Sequence, residues 1–166
     1  MHVTRTYLEM RAADELMPSP SEPGGARIEP VEECPPSFYR YLYSEAGRDF
    51  HWVDRLGWTD EQIRSHLAQP SVTLWVLWIG DASAGWFELK RHDDGSTEIA
   101  YFGILPAFRR RGLGKHLLTA AVKSAWAAGA NRVWLHTCTL DDPAALPNYR
   151  ARGFRPYKEE RYEVDL

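Results

Sequence analysis

Four cations and two glycines fall within seven residues, Arg109-Arg110-Arg111-Gly112-Leu113-Gly114-Lys115, in a sequence that elsewhere spreads its basic residues thinly. Glycine lets a backbone approach a ligand with no Cβ in the way. A helix opening at such a turn presents unpaired N–H groups and the positive end of its dipole. With Arg109, Arg110, Arg111 and Lys115 beside those donors, the chemistry indicated is the seating of a phosphate or diphosphate. Two common phosphate signatures fail on spacing. A Walker loop needs glycine where Arg109 stands and a hydroxyl where His116 stands, and the dinucleotide fingerprint meets Leu117 at its third glycine. The pattern left is Arg109-x-x-Gly112-x-Gly114, preceded by strand residues Glu98 to Leu105 and by Pro106.

Some thirty residues further on the chain reads DDPAALPNYRARGF, Asp141 to Phe154. The two motifs, in this order and separated by a helix and a strand, resemble the GNAT superfamily of N-acetyltransferases. The first resembles its acyl-CoA signature, and Tyr149, Gly153 and Phe154 match its Tyr-x-x-x-Gly-Phe block. The resemblance covers roughly residues 72 to 160 and is faint before that. It implies acetyl-CoA as co-substrate, with Arg109, Arg110, Arg111, Gly112, Leu113, Gly114 and Lys115 around the diphosphate. It also implies that Ile104 and Leu105 hydrogen-bond the pantetheine arm through their backbones, in a slot where strands 98–105 and 132–140 part. Where the family commonly has an asparagine, seven residues before the tyrosine, this chain has Asp142. Asp142 either accepts a hydrogen bond from the cofactor arm or caps the short helix ahead of Pro143.

Acetyl transfer from a thioester to an amine also needs a proton donor for the leaving thiolate and a base for the ammonium. Tyr149 is the acid candidate, since a phenol of pKa near ~10 can protonate a thiolate whose own pKa is about 8.5; the other reading is a ring that packs on Phe154. Glu98 is the base candidate, a carboxylate on an otherwise apolar strand that resembles the strand glutamate used by some family members; the other reading is a strand-end residue facing solvent. His136 is a second base candidate. Pro147 interrupts the short helix and leaves Tyr149 on a single turn.

Periodicity supplies the elements that position these groups. Val3 to Met10 reads as a strand and residues 18–36 as an irregular excursion. Ser37 to Glu45 and Asp60 to Ala68 read as helices, the second capped by Thr59 with Gln62 three residues on. Val72 to Ile79, Ala84 to Arg91 and Glu98 to Leu105 read as strands joined by hairpins. An amphipathic helix from Leu113 to a glycine cap at Gly129 leads to a strand over Arg132 to Leu140, which favours a right-handed parallel crossover. A final extended segment covers Pro156 to Val164. The expected fold is α+β and GNAT-like: a mixed, mostly antiparallel sheet with helices on both faces and a parallel βαβ unit at the cofactor site. It forms a single domain over 1–166, with acceptor-side helices in 37–69 and the acetyl-CoA core in 72–160.

The chain has 166 residues, 44% hydrophobic and 13% aromatic, with a net charge of −3. That balance argues for a globular protein and against a nucleic-acid partner. The N-terminal residues lack a signal-peptide core and the longest apolar run is too short for a bilayer, so the expectation is cytoplasmic, with no membrane partner. Cys34 and Cys138 agree with a reducing compartment, and no metal is expected. The indicated activity is direct acetyl transfer to the amine of a small molecule or peptide, a homodimer being compatible. A ping-pong route through Cys138 lacks an evident activating base. The rivals are a non-catalytic acyl-CoA-binding sensor or partner module and, further off, a kinase using Lys115. The aromatics Tyr39, Tyr41, Tyr43, Phe50, His51, Trp52 and Trp58 either line the acceptor pocket or form the core of that half.

Overall fold

The computed structural model describes residues 1–20 and 22–165. Seven strands form one sheet: β1 (His2–Met10), β2 (Ala26–Pro30), β3 (Val72–Ile79), β4 (Ala82–Arg91), β5 (Thr97–Ile104), β6 (Val133–Cys138) and β7 (Arg155–Glu163). Their order is β2-β3-β4-β5-β6-β1-β7, all neighbours antiparallel except β5 and β6. Four α-helices flank it: α1 (Pro36–Gly47), α2 (Asp60–Leu67), α3 (Leu113–Ala127) and α4 (Ala145–Ala151). The mixed α+β sheet with one parallel pair is the expected fold class.

Helix α3 buries Leu113, Leu117, Leu118, Ala121, Val122 and Ala125 against one face, where they meet Phe87, Ile99, Leu8 and Leu135. Its apolar residues recur every three to four positions, so one stripe meets the sheet and Lys123 stays in solvent. Gly129 ends it at φ 93°, and the Ala130 N–H reaches back to the Ala125 carbonyl at 3.3 Å, a left-handed cap that few residues besides glycine could form. The opposite face carries α1 and α2 over Leu74, Val76 and Trp86, with the Trp86 indole donating to the Leu42 carbonyl at 3.0 Å. The Thr59 and Gln62 capping box starts α2 with reciprocal bonds of 2.8 and 3.1 Å.

Two features differ from the sequence reading, and a third, the place of β1, was not addressed by it. Residues 26–30 inside the expected excursion form β2, an edge strand on β3; five residues among Pro and Gly carry too little alternation to show, and Pro30 is tolerated at an edge. Pro147 does not break α4. It is the third residue of the helix, in the first turn, where its missing N–H would have had no intrahelical partner. The strand β1 takes an inner position between β6 and β7, running Arg5 against Cys138 and Met10 against Val133 on one side and His2 against Glu163 on the other.

Inner strands need both edges paired and a buried face. Leu8 and Met10 supply that face, both fully buried in the core with the α3 stripe. Leu8→Ala is therefore expected to lower the unfolding free energy by about 2–5 kcal/mol in urea denaturation with an unchanged slope. A loss below about 1 kcal/mol would show that β1 does not belong to the core.

Candidate active site

Strands β5 and β6 pair over only two residues, Thr97 with Val133 and Glu98 with Trp134, and then separate. The cause lies in β5. Leu89 pairs with Ile99 but the next β4 residue, Glu88, pairs with Tyr101, so Ala100 is an extra residue that bends the strand. The bulge also resets the side-chain alternation. Glu98 and Tyr101 share the face of α1 and α2, while Ile99 and Phe102 share the face of α3.

Beyond the bulge, the N–H of Leu105 donates to the Ala84 carbonyl at 2.8 Å. Because backbone groups alternate along an antiparallel pair, the N–H groups of Phe102 and Ile104 point the other way, into the gap. The structure thus brings Ile104 to the gap and turns Leu105 toward β4. Phe102, absent from the sequence reading, takes the second gap-facing place.

The gap opens into a cleft of about 1530 Å³ that continues to the α3 N-terminus. Gly112 caps α3 at φ 75°, with no side-chain cap on the first N–H groups and open space where a Cβ would stand. Helix starts normally carry a Ser, Thr, Asp or Asn to accept from those donors. Here the donors are left for an anion, beside Lys115 and Arg110, both exposed on the cleft wall. Arg110 itself sits at φ 63°. These residues fit the diphosphate of an acyl-CoA.

Two of the expected arginines are engaged elsewhere. Arg109 is tied to α1 and the loop after it: Nη1 to Asp49 at 2.9 Å, Nη2 to the Ala46 carbonyl at 3.2 Å, Nε to the Ile104 carbonyl at 3.2 Å, and its plane over Phe50 at 4.7 Å. Arg111 lies over the Phe108 ring at 5.2 Å and away from the cleft wall. Leu113 and Gly114 line the cleft, and Asp142 lines it while its Oδ1 accepts the Ala144 N–H at 2.9 Å, steadying the turn into α4.

Tyr149 projects from α4 into the same cleft, its ring edge-on to Phe102 and Phe154 at 6.2 Å each. Among the described residues its hydroxyl has no hydrogen-bond partner. Burial raises its pKa well above the phenol range, and the charges of Asp141 and Asp142 raise it further, so the group holds its proton. Glu98 stands on the facing wall with 16% of its side chain exposed, and receives His92 Nε2 at 2.9 Å. His136 shares that wall. Although the residue is exposed at the surface, crowding of its ring first and the Arg5 charge second hold its pKa below the usual histidine value.

On the α1–α2 side of the cleft wall lies a polar cluster that the sequence reading missed. Glu88, 0% exposed, accepts from Arg55 Nη1 at 2.8 and 3.0 Å, from the Tyr39 hydroxyl at 2.7 Å, and meets His66 Nε2 at 3.0 Å. Arg55 also contacts the Tyr39 oxygen and lies over Tyr101 and Trp58 at 4.4 and 4.6 Å. Burial pushes the Glu88 carboxyl up, but the His66 hydrogen bond and the Arg55 charge more than reverse this and hold it below the usual range. The cluster pins the loop between α1 and α2. Of the early aromatics, Tyr39 and Tyr43 belong to the core and Tyr41 is exposed, whereas Phe50, His51 and Trp52 line the cleft. Among the described residues no group of three or more His, Cys, Asp and Glu gathers as a metal site. Among the described residues no helix is long and apolar enough to cross a membrane.

Against known families, residues 37–154 match the acetyltransferase (GNAT) family. The chain belongs to the GNAT family. Members of this family are acetyl-CoA-dependent N-acetyltransferases. Two mycothiol acetyltransferases are similar to the chain. That of Corynebacterium efficiens is 31% identical over 112 residues, 63% of this chain and 36% of that protein. That of Segniliparus rotundus is 26% identical over 167 residues, 94% of this chain and 62% of that protein. The chain therefore spans less than two thirds of these relatives. Among solved structures, a GCN5-related N-acetyltransferase from Sphaerobacter thermophilus superposes with a TM-score of 0.74 at 20% identity over 99% of this chain and 54% of that one. An aminoglycoside acetyltransferase from a soil metagenome gives 0.64 at 21% identity, over 77% of this GNAT chain and 87% of its own. At these identities the likeness is one of fold.

Glu88→Gln would leave Arg55 buried without its counter-charge, and is expected to lower the unfolding free energy near pH 7 by about 3–5 kcal/mol. The native carboxyl titrates below its unfolded value of 4.5, so its stabilisation is complete above that pH and is lost as pH falls through the native value. The gap between the two proteins should narrow below pH 4.5 in denaturation curves; a constant gap would contradict the assignment.

Proposed function

We propose that this GNAT protein transfers an acetyl group from acetyl-CoA directly to the amine of a small molecule or peptide. The observation that carries the reading is a single cleft joining the uncapped α3 N-terminus, the parted strands, Tyr149 and Glu98. In this reading Gly112 to Lys115 hold the diphosphate. The N–H groups of Phe102 and Ile104 face the arm and the thioester oxygen, where fixed donors favour a developing oxyanion. When bound, acetyl-CoA supplies an acyl carbon whose leaving thiol has a pKa of about 8.5.

Tyr149, with its pKa raised by burial, is suited to hydrogen-bond the departing sulfur. Glu98, linked to His92, takes the ammonium proton directly or through water. Arg109 is a positioning residue in this scheme, fixing the turn to α1 through Ala46 and Asp49. Around the acceptor end lie Trp52 and Tyr101, ring centroids 5.1 Å apart, with the carboxylates of Glu98 and Asp54 also on the cleft wall. Aromatic faces beside carboxylates suit a cationic amine. The names of the relatives, mycothiol and aminoglycoside acetyltransferases, favour a small molecule over a peptide.

Calorimetry with CoA and a thiol-release assay over a panel of amines test the reading. Tyr149→Phe should lower kcat about 10- to 100-fold, and Glu98→Gln about 100-fold or more, with CoA affinity within about threefold of wild type in both. Cys138→Ala should keep turnover. Loss of turnover in the cysteine variant with an acetyl-enzyme trapped in wild type would replace direct transfer by a covalent route. Tight CoA binding without turnover on any amine would leave a binding module.

A further inference from the structure

Helix α4 and its C-cap carry two side chains with buried polar atoms that lack partners among the described residues. Arg152, only 9% exposed, has Nε and Nη1 sealed from solvent with no hydrogen-bond partner among the described residues, and forms no ion pair there. One helical turn earlier, Asn148 donates its Nδ2 to the Gly114 carbonyl at 3.2 Å while its Oδ1 is buried without a partner. Both residues line the cleft. A buried guanidinium with no counter-charge is costly, and a chain of this composition has 23 carboxylates from which one could have been placed beside it. The remaining guanidinium nitrogen, Nη2, is not sealed. A guanidinium is one delocalised cation, so an anion meeting it at Nη2 compensates the whole group.

We propose that Arg152 is a phosphate-binding cation of this site, completing from α4 the anion cradle that Gly112 to Lys115 form from α3, with Asn148 holding the two helices in register. The inference rests on the acyl-CoA reading of the cleft. It places the counter-charge on the ligand: the diphosphate or the ribose phosphate of the donor. Of the three arginines put forward from the sequence, Arg109 is held by Asp49 and Arg111 lies over Phe108 away from the cleft wall, leaving Arg110 there, and Arg152 adds a cation from the end of α4. Arg152 also caps the C-terminus of α4, three residues after Tyr149, so charge pairing there would settle the helix that carries the phenol.

The test measures CoA, 3′-dephospho-CoA and pantetheine by calorimetry, and melting of the ligand-free protein, for wild type, Arg152→Met and Arg152→Lys. Arg152→Met should weaken CoA about 10- to 100-fold and leave pantetheine unchanged, while the ligand-free protein melts at the same temperature or higher because an unpaired buried charge has gone. Arg152→Lys should retain most of the affinity. Equal losses for CoA and dephospho-CoA assign the contact to the diphosphate, and a loss confined to CoA assigns it to the ribose phosphate. Unchanged CoA affinity in folded Arg152→Met overturns the proposal. If Arg152→Met does not fold, Arg152→Gln takes its place, and undiminished CoA affinity there overturns it equally. Wild-type protein that binds none of the three ligands overturns the acyl-CoA reading itself.

Discussion

Two neighbouring strands that pair for two residues and then separate leave backbone donors and acceptors facing each other across empty space. Buried peptide groups must find partners, and a gap too wide for strand pairing can supply them only through water or a ligand. The bulge at Ala100 produces this separation by bending β5, and the rest of the molecule conforms to it. Helix α3 crosses from one parted strand to the other and sets its N-terminus at the mouth. Helix α4 returns to the same place with Tyr149, and the loop after α1 walls the opposite side. The cleft is therefore a product of sheet geometry first and of side chains second.

The side chains most involved in keeping that geometry are not those that meet the ligand. Glu88 joins β4 to α1 through Tyr39, to α2 through His66 and to the intervening loop through Arg55. A carboxylate wholly removed from water is tolerated because each of its oxygens is met by charged or hydrogen-bonding partners. Such a network fixes the position of the loop more sharply than apolar contacts would. Val53 and Leu56 on that loop remain exposed, and so contribute little to holding it.

Much of this was legible in the sequence because local patterns acted alone. The Thr59 and Gln62 box, the strand Val72–Ile79, the α3 stripe and its glycine stop depend on neighbours a few residues away, and all lie where spacing placed them. What could not be read depends on pairing at a distance. The inner place of β1 is set by β6 and β7, over a hundred residues later, and β2 is visible as a strand only because β3 offers it an edge. The site divides the same way. Glycines around the anion turn could be placed by spacing, but which arginine is free there is decided by Asp49 and Phe50, which no local pattern links to Arg109. One signal was present and passed over: Glu88 stands between Phe87 and Leu89 in an apolar strand, the same mark that drew attention to Glu98.

The inner position of β1 has a consequence for how the molecule assembles. Strand β1 finds its hydrogen-bonding partners only in β6 and β7, more than a hundred residues later in the sequence, so until those strands form Leu8 and Met10 lack the sheet that buries them. Closing so long a loop is slow compared with forming the β3–β4–β5 meander, whose strands are adjacent in sequence. The meander and α3 can gather first as a half-sheet with an unsatisfied edge. Strands β1, β6 and β7 then join it, which makes the long-range pairing of β1 the late and vulnerable step, open to mispairing.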